Sequence, residues 1–253
     1  MSDTLYLSLW YPNLRLEALP DKLTAVLGEF AAHGGEARVY AATAWPINWT
    51  ESPVFQRVYG RGKRGAEPRL AVEEALELLH EDSAYEFQIG WSLWELETPQ
   101  RNAGPSTPHP SDEDLSLHPS EHISLTGNPD SLGTPVPAAR AAFAQDDSAV
   151  GLDPRWVREP RLVRVTGYGP LFDEGAYEQD GHIRVEFGSD TPFLEEDLEL
   201  DSVAARHVEE NVRQLVELTS AVEKGSGATA RLLWSELGES LAQRLAARLG
   251  VRN

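Results

Sequence analysis

The stretch of residues 84–96 constrains this chain most strongly, because large apolar side chains occupy every second position in it. The alternating residues are Tyr85, Phe87, Ile89, Trp91 and Leu93. A period of two is that of a β-strand with one buried face. Side chains of this size must be covered, so we expect helices from elsewhere in the chain to pack on this strand.

Residues 3–97 carry strand and helix patterns in the order βαββαβ. Leu5, Leu7 and Leu9 alternate in the first strand, and a helix with apolar residues at helical spacing follows and ends at Gly34. Pro68 suits the first turn of the second helix. The order is that of the ferredoxin-like arrangement, which hosts many unrelated functions. We therefore predict a ferredoxin-like α+β domain over residues 1–97.

The composition changes between residues 98 and 160, where ten of the 17 prolines lie together with many serines. Sequence of this kind buries too little apolar area to offset the entropy lost on ordering. We interpret this segment as a linker or a long excursion from the fold.

Residues 161–253 predict a second α+β unit in the order ββαβα. Asp201 and Ser202 are candidate caps of its long helix, and glycine at 225 and 227 ends that helix before a strand at 228–235. A helix, glycines and a strand follow one another in the same way around Gly34, so the unit is either a diverged repeat packed on the first or a chance similarity. Overall, we predict an α+β fold with mixed sheets covered by helices.

Charge and cysteine content exclude several classes of function. The formal net charge of −19 opposes general binding to nucleic acid or to an anionic membrane, and it would attract a basic protein. The same charge is also explained by solubility alone. No cysteine is present, which excludes disulfides and thiol chemistry and fits a reducing compartment. We expect a cytoplasmic protein, since no secretory leader or transmembrane stretch is evident.

Two basic clusters are candidates for anion binding. Arg61, Lys63 and Arg64 lie in the glycine-rich loop of residues 60–65, and Arg155 and Arg158 surround a tryptophan. Backbone N–H groups of glycines and arginine side chains both hold phosphate. The loop does not have the spacing of a P-loop. The alternative interpretation of the glycine-rich loop is a solvated connection between two elements. The alternative for the second cluster is that its arginines pair with carboxylates.

The candidate catalytic residues are His182 and Glu186, which project from one face of a predicted strand. A histidine and a carboxylate could exchange protons with a substrate if both reach it. The alternative is a solvated outer face of the sheet.

An acidic run before the long helix is the candidate surface for a basic partner. Its residues are Glu195, Glu196, Asp197 and Glu199. The alternative role of these carboxylates is favourable interaction with the dipole of the helix that follows. His109, His118 and His122 lie in the proline-rich segment, without the rigid spacing of a metal site, so we predict no metal and no cofactor.

The sequence contains no local signature of a catalytic or nucleotide-binding family. Three hypotheses remain. The first is an acidic protein that binds a basic protein partner, as an inhibitor, immunity or adaptor protein does. The second is a hydrolase or transferase acting on a phosphate-bearing small molecule. The third is a structural or assembly protein with contact patches formed by Trp45, Trp49 and Trp156. The sequence predicts no oligomeric state.

Overall fold

One open antiparallel sheet of seven strands dominates the computed structural model, which describes residues 2–97, 155–195, 200–236 and 241–248. The spatial order of the strands is β3-β2-β4-β5-β6-β1-β7, and every neighbouring pair is antiparallel. The strands are β1 (Thr4–Trp10), β2 (Gly35–Pro46), β3 (Phe55–Val58), β4 (Ser83–Leu96), β5 (Trp156–Tyr168), β6 (Ile183–Ser189) and β7 (Ala230–Ser235). The predicted α+β class is confirmed, whereas the predicted mixed sheets are one antiparallel sheet.

Six described α-helices accompany the sheet. They are α1 (Leu19–Ala32), α2 (Pro68–Ala75), α3 (Ala176–Gln179), α4 (Thr191–Leu194), α5 (Ser202–Ser226) and α6 (Leu241–Arg248). Short 3₁₀ turns cover Leu16–Ala18, Gly62–Arg64 and Phe172–Glu174. No described helix combines the length and the apolar composition that a membrane span requires.

The ferredoxin-like arrangement predicted for residues 1–97 is not confirmed. In that arrangement β1 would lie beside β4, but here β5 and β6 lie between them. The reason is that β5 pairs with β4 along nearly its whole length, and β6 then pairs with both β5 and β1. β5 begins at Trp156, inside the segment predicted as a linker.

Two crossovers of the same kind organise the sheet instead. The unit β3–α2–β4 encloses β2, and the unit β6–α5–β7 encloses β1, so each joins two parallel strands with one antiparallel strand between them. Because a strand lies between the two joined strands, the helix has room to pack across the sheet. Strands from residues 4–96 and 156–235 thus share one sheet and one core.

The core lies between the sheet and the helices, and Trp91 is at its centre. The alternating side chains predicted on β4 are all buried, which confirms that pattern. The Trp91 ring lies 5.2 Å from Phe187, 6.0 Å from Phe193 and 6.3 Å from Phe30, measured between ring centroids. Its indole N–H donates to the His33 carbonyl at 2.8 Å. The one polar atom of this large side chain is therefore satisfied.

Helix α5 begins and ends as the sequence predicts. Asp201 caps its start, because the carboxylate accepts hydrogen bonds from the N–H groups of Val203 and Ala204, each at 2.8 Å. These bonds hold the pKa of Asp201 below its usual value. Gly227 ends the helix with a φ of 72°, a conformation that glycine adopts without a Cβ clash.

Two amide side chains on α5 attach the far end of β4 to the helix layer. Asn211 is fully buried; its amide donates to the carbonyls of Trp94 and Pro192 at 2.8 Å and accepts from the Trp94 N–H at 2.9 Å. One turn along, Gln214 donates to the carbonyls of His33 and Ser92. These bonds satisfy backbone groups of Trp94 and Ser92 on β4, together with the carbonyls of His33 and Pro192.

We predict that Asn211→Ala lowers the free energy of unfolding by about 3 kcal/mol, because it leaves buried backbone groups of Trp94 and Pro192 unpaired. Arg213→Ala, at an exposed position of the same helix, should change it by less than about 0.5 kcal/mol. Urea denaturation of both variants measures the difference. Equal effects would show that Asn211 is not a structural attachment.

Candidate functional site

The face of the sheet opposite the long helices carries polar and aromatic side chains, and we call it the open face. Cross-strand pairing defines two rows of residues on it. The first row is Glu86, Thr166, Arg184, Ser8 and Leu232. The second row is Gln88, Arg164, Glu186, Tyr6 and Trp234.

Charges on the open face are mostly neutralised within it. Arg164 pairs with Glu186 at 2.7 Å, and Arg184 pairs with Asp180. The Arg184 guanidinium also lies 5.5 Å from the ring centroids of Tyr6 and of Tyr168. Burial and the hydrogen bond that Tyr6 donates to Glu236 raise the pKa of Tyr6 to about 12. Because its carboxylate pairs with Arg164, Glu186 is engaged in an ion pair.

His182 lies at the start of β6 and is held by its neighbours. Its Nδ1 accepts a hydrogen bond from the Tyr11 N–H at 3.0 Å, so the neutral ring carries its proton on Nε2. The ring stacks on Tyr177, with 4.1 Å between centroids, and burial lowers the pKa of His182. His182 and Glu186 share a face, as predicted, but four positions of a strand separate them by roughly 13 Å.

The glycine-rich loop lies far from His182. It follows β3, which is separated from β6 by β2, β4 and β5, and the strand order places the two sites at opposite ends of parallel strands. Four strand spacings amount to roughly 19 Å. Arg61, Lys63 and Arg64 are exposed, and none of them pairs with a carboxylate of the described residues. The structure does not bring this loop and His182 into one cleft.

The second basic cluster is paired. Arg155 lies 3.5 Å from Glu97, and Arg158 lies 3.4 Å from Glu210 and donates to Gln214 at 3.0 Å. This is the alternative that the sequence analysis left open for the cluster. Arg155 therefore links the two chain segments at the end of the β4–β5 pair, and Arg158 links β5 to α5.

The acidic run before α5 is described only at Glu195, which is 9% exposed and adopts a left-handed conformation. Glu196, Asp197 and Glu199 lie outside the described residues, as do His109, His118 and His122. Within the described ranges no three histidine or carboxylate side chains are grouped so that they could hold a metal ion.

Three loops meet at the end of the sheet where β4 begins, and they form a surface that the sequence analysis did not identify. We call residues 46–49, 80–83 and 169–174 the loop platform. Backbone hydrogen bonds join the loops: Ile47 N–H to the Asp82 carbonyl at 2.7 Å, Asp173 N–H to the Ile47 carbonyl at 2.8 Å, and Leu171 N–H to the Glu81 carbonyl at 2.9 Å. The platform is therefore one connected surface.

Ile47 is the most unusual residue of the loop platform. Its φ is 60°, in the left-handed region that β-branched residues rarely adopt. The Asn48 N–H donates to the Pro46 carbonyl at 2.5 Å, so a tight three-residue turn is centred on Ile47. Asp173 and Glu174 also have positive φ, at 48° and 49°. Conformations of this kind each cost about 1–3 kcal/mol and persist where the surroundings impose them.

Aromatic side chains support the loop platform from beneath. The Trp49 ring centroid lies 5.0 Å from Phe172, 5.7 Å from Trp45 and 6.2 Å from Tyr168, in edge-on contacts. Trp45 and Trp49 are half-buried in this cluster, and Trp156 packs on His207 at the other end of β5. The three tryptophans are thus part of the packing, each with a partly exposed side chain.

The loop platform exposes two large apolar side chains and several carboxylates to solvent. Ile47 is 57% exposed and Leu171 is 61% exposed. Glu81, Asp173 and Glu174 are exposed beside them, and none of the three pairs with a cation of the described residues. An apolar centre with unpaired charges at its edge is typical of a surface that contacts another protein.

Comparisons with protein-family models, curated proteins and solved structures found no match to this chain.

We predict that His182 makes stability depend on pH. The unfolded chain, with an ordinary histidine pKa of about 6.5, takes up a proton before the folded protein does. The His182→Asn variant can accept the Tyr11 N–H without titrating. The free energy of unfolding of the original protein should therefore fall relative to that of the variant as pH falls below about 6.5. Urea denaturation across this range tests it, and a constant difference would contradict it.

Proposed function

We propose that the protein acts by binding a basic protein partner, in the manner of an inhibitor, immunity or adaptor protein, and that the loop platform is the contact surface. Three properties support the proposal: the exposed apolar side chains of Ile47 and Leu171, exposed carboxylates that pair with no cation of the described residues, and a strained backbone. The absence of cysteine fits a reducing compartment, and we propose the cytoplasm as the place of action.

The strained conformation of Ile47 is the observation that carries the proposal. The core does not need an isoleucine here, because more than half of the side chain is exposed. Glycine or asparagine would adopt the same backbone with less strain. A residue that destabilises the fold and presents an apolar side chain to solvent is explained if that side chain enters a pocket on a partner.

Charge defines the chemistry of the partner. The net charge of −19 attracts basic proteins from a distance and accelerates their association. At the surface, the carboxylates of Glu81, Asp173 and Glu174 are exposed, and because no cation in the described part of the chain pairs with them, they can pair with lysine or arginine side chains of a partner. The partner surface that fits best is an apolar pocket with basic residues around it.

The platform is tested by two substitutions at one position. Ile47→Gly should be more stable than Ile47→Ala by about 1 kcal/mol, because glycine relieves the left-handed strain that alanine keeps. Both variants should bind the partner about tenfold more weakly than the original protein, since both lack the exposed side chain. Urea denaturation and titration with the purified partner measure the two effects. Val216→Ala, at an exposed position of α5, should leave binding unchanged.

The partner itself is identified by affinity capture from the source cells at low salt. Glu81→Lys combined with Glu174→Lys should abolish capture of a basic protein. The control is Glu209→Lys combined with Glu217→Lys, which changes the net charge by the same amount on α5 and should not affect capture. If both pairs of substitutions reduce capture equally, the interaction depends on net charge alone, and the loop platform is not the site.

A second candidate function is the binding of a phosphate-bearing molecule at residues 60–65. The observation that favours it is the presence of three cations that pair with no carboxylate of the described ranges, in a strongly acidic protein. The loop is also anchored, because Val39 and Ala66 exchange backbone hydrogen bonds of 2.9 Å and the Gly60 N–H donates to Tyr40. Since His182 and Glu186 lie elsewhere, this candidate is a binding site for the anion, and proton transfer by those two residues has no structural support.

Calorimetry with pyrophosphate tests this second candidate. Replacing Arg61, Lys63 and Arg64 together by glutamine should remove most of the binding, because those cations hold the anion. Replacing Arg206, Arg213 and Lys224 by glutamine removes the same charge from α5 and should not affect it. Undetectable binding to the original protein, or equal losses in both variants, would contradict the candidate.

A further inference from the structure

A cleft of about 320 Å³ lies where the connection from β1 to α1 meets the end of α5. Its lining includes Tyr11, Asn13, Leu14, Arg15, Lys22 and Gly227. None of the described residues that line it carries a carboxylate, although the chain as a whole has 41 acidic residues and 22 basic ones. The cleft therefore concentrates two positive charges in a protein of opposite charge.

Lys22 is fixed in position at this cleft. Its ammonium group donates to the Ser226 carbonyl at 2.7 Å and lies 5.2 Å from the centroid of the Tyr11 ring. A lysine held in this way loses little further side-chain entropy when it pairs with an anion. Among the described residues it has no other hydrogen-bond partner, so two of its three donors are left for a ligand.

Arg15 is the second cation, and it forms neither a hydrogen bond nor an ion pair through its side chain with the described residues. It lies on the short connection between Pro12 and the 3₁₀ turn Leu16–Ala18. An arginine fork can hold carboxylate or phosphate through two parallel hydrogen bonds. Most other described arginines pair with acidic side chains, so its free guanidinium is a distinguishing feature of the cleft.

The walls of the cleft are rigid. Tyr11 is nearly fully buried, its hydroxyl donates to Ser226 Oγ at 2.9 Å, and its N–H donates to His182. Tyr177 donates to the Leu14 carbonyl at 3.3 Å, which attaches the loop from the other side. Asn13 has a φ of 49°, which fixes the turn between the two attachments. A preformed cleft with apolar walls and a few polar groups is typical of a site for a small molecule.

We propose that this cleft binds a small organic anion. Arg15 and Lys22 hold its carboxylate or phosphate, and its apolar part packs on Pro12 and Leu14. The site is separate from the loop platform and from residues 60–65, and the proposal does not depend on a protein partner.

The proposal is tested by NMR titration of the full chain with phenyl phosphate, benzoate and the neutral analogue benzyl alcohol. Both anions should shift the backbone amides of Asn13 and Gly227, and benzyl alcohol should not. The relative affinities of phenyl phosphate and benzoate distinguish a phosphate site from a carboxylate site. Arg15→Gln should weaken binding by about tenfold, as expected for loss of a charged hydrogen bond.

Arg15→Gln should leave the fold intact, because its side chain has no partner in the described protein, and the thermal midpoint checks this. Arg213→Gln, which removes one cation from α5, is the matched control and should bind as the original protein does. The proposal is overturned if neither anion shifts the two amides at millimolar concentration, if benzyl alcohol binds equally well, or if Arg15→Gln has no effect on affinity.

Discussion

The long antiparallel pairing of β4 with β5 is the constraint on which the rest of the structure depends. It runs from Ala84 opposite Tyr168 to Leu96 opposite Trp156, and it brings residues distant in sequence into one sheet. The pairing continues past the strands, because the Gly169 N–H donates to the Ser83 carbonyl and the Leu171 N–H donates to the Glu81 carbonyl. The loop platform is therefore an extension of the central ladder, which explains how its loops hold strained residues in place.

Backbone strain lies at one end of the β4–β5 ladder, and the side-chain hydrogen bonds that stabilise the backbone lie at the other end. At the far end of the ladder, Asn211 and Gln214 satisfy backbone groups and stabilise the fold. At the platform end, Ile47 occupies a conformation that glycine would adopt more easily, while its side chain remains exposed. Natural proteins retain such costs where a function requires them. The proposed contact surface is therefore the strained end of the sheet, and buried hydrogen bonds stabilise the opposite end.

Local patterns predicted much of the architecture, and long-range pairing accounts for what they missed. The alternation of residues 84–96, the caps of α5 and the shared face of His182 and Glu186 follow from periods of two or 3.6 residues. The strand order does not, because nothing local specifies that β6 pairs with β1. The pairing of Arg158 with Glu210 depends on the position of α5 over the ladder. The left-handed conformation of Ile47 had no signal in its residue type, since isoleucine normally excludes it.

The central claim is that the loop platform contacts a basic partner, and hydrogen exchange of the bound protein tests it most directly. Mass spectrometry would compare amide exchange in the free protein with that in its complex with the basic protein it retains at low salt. The account predicts new protection in residues 46–49, 80–83 and 169–174, with residues 60–65 and the surface of α5 unchanged. Protection confined to residues 60–65 or to α5, with the three platform loops exchanging as in the free protein, would contradict it.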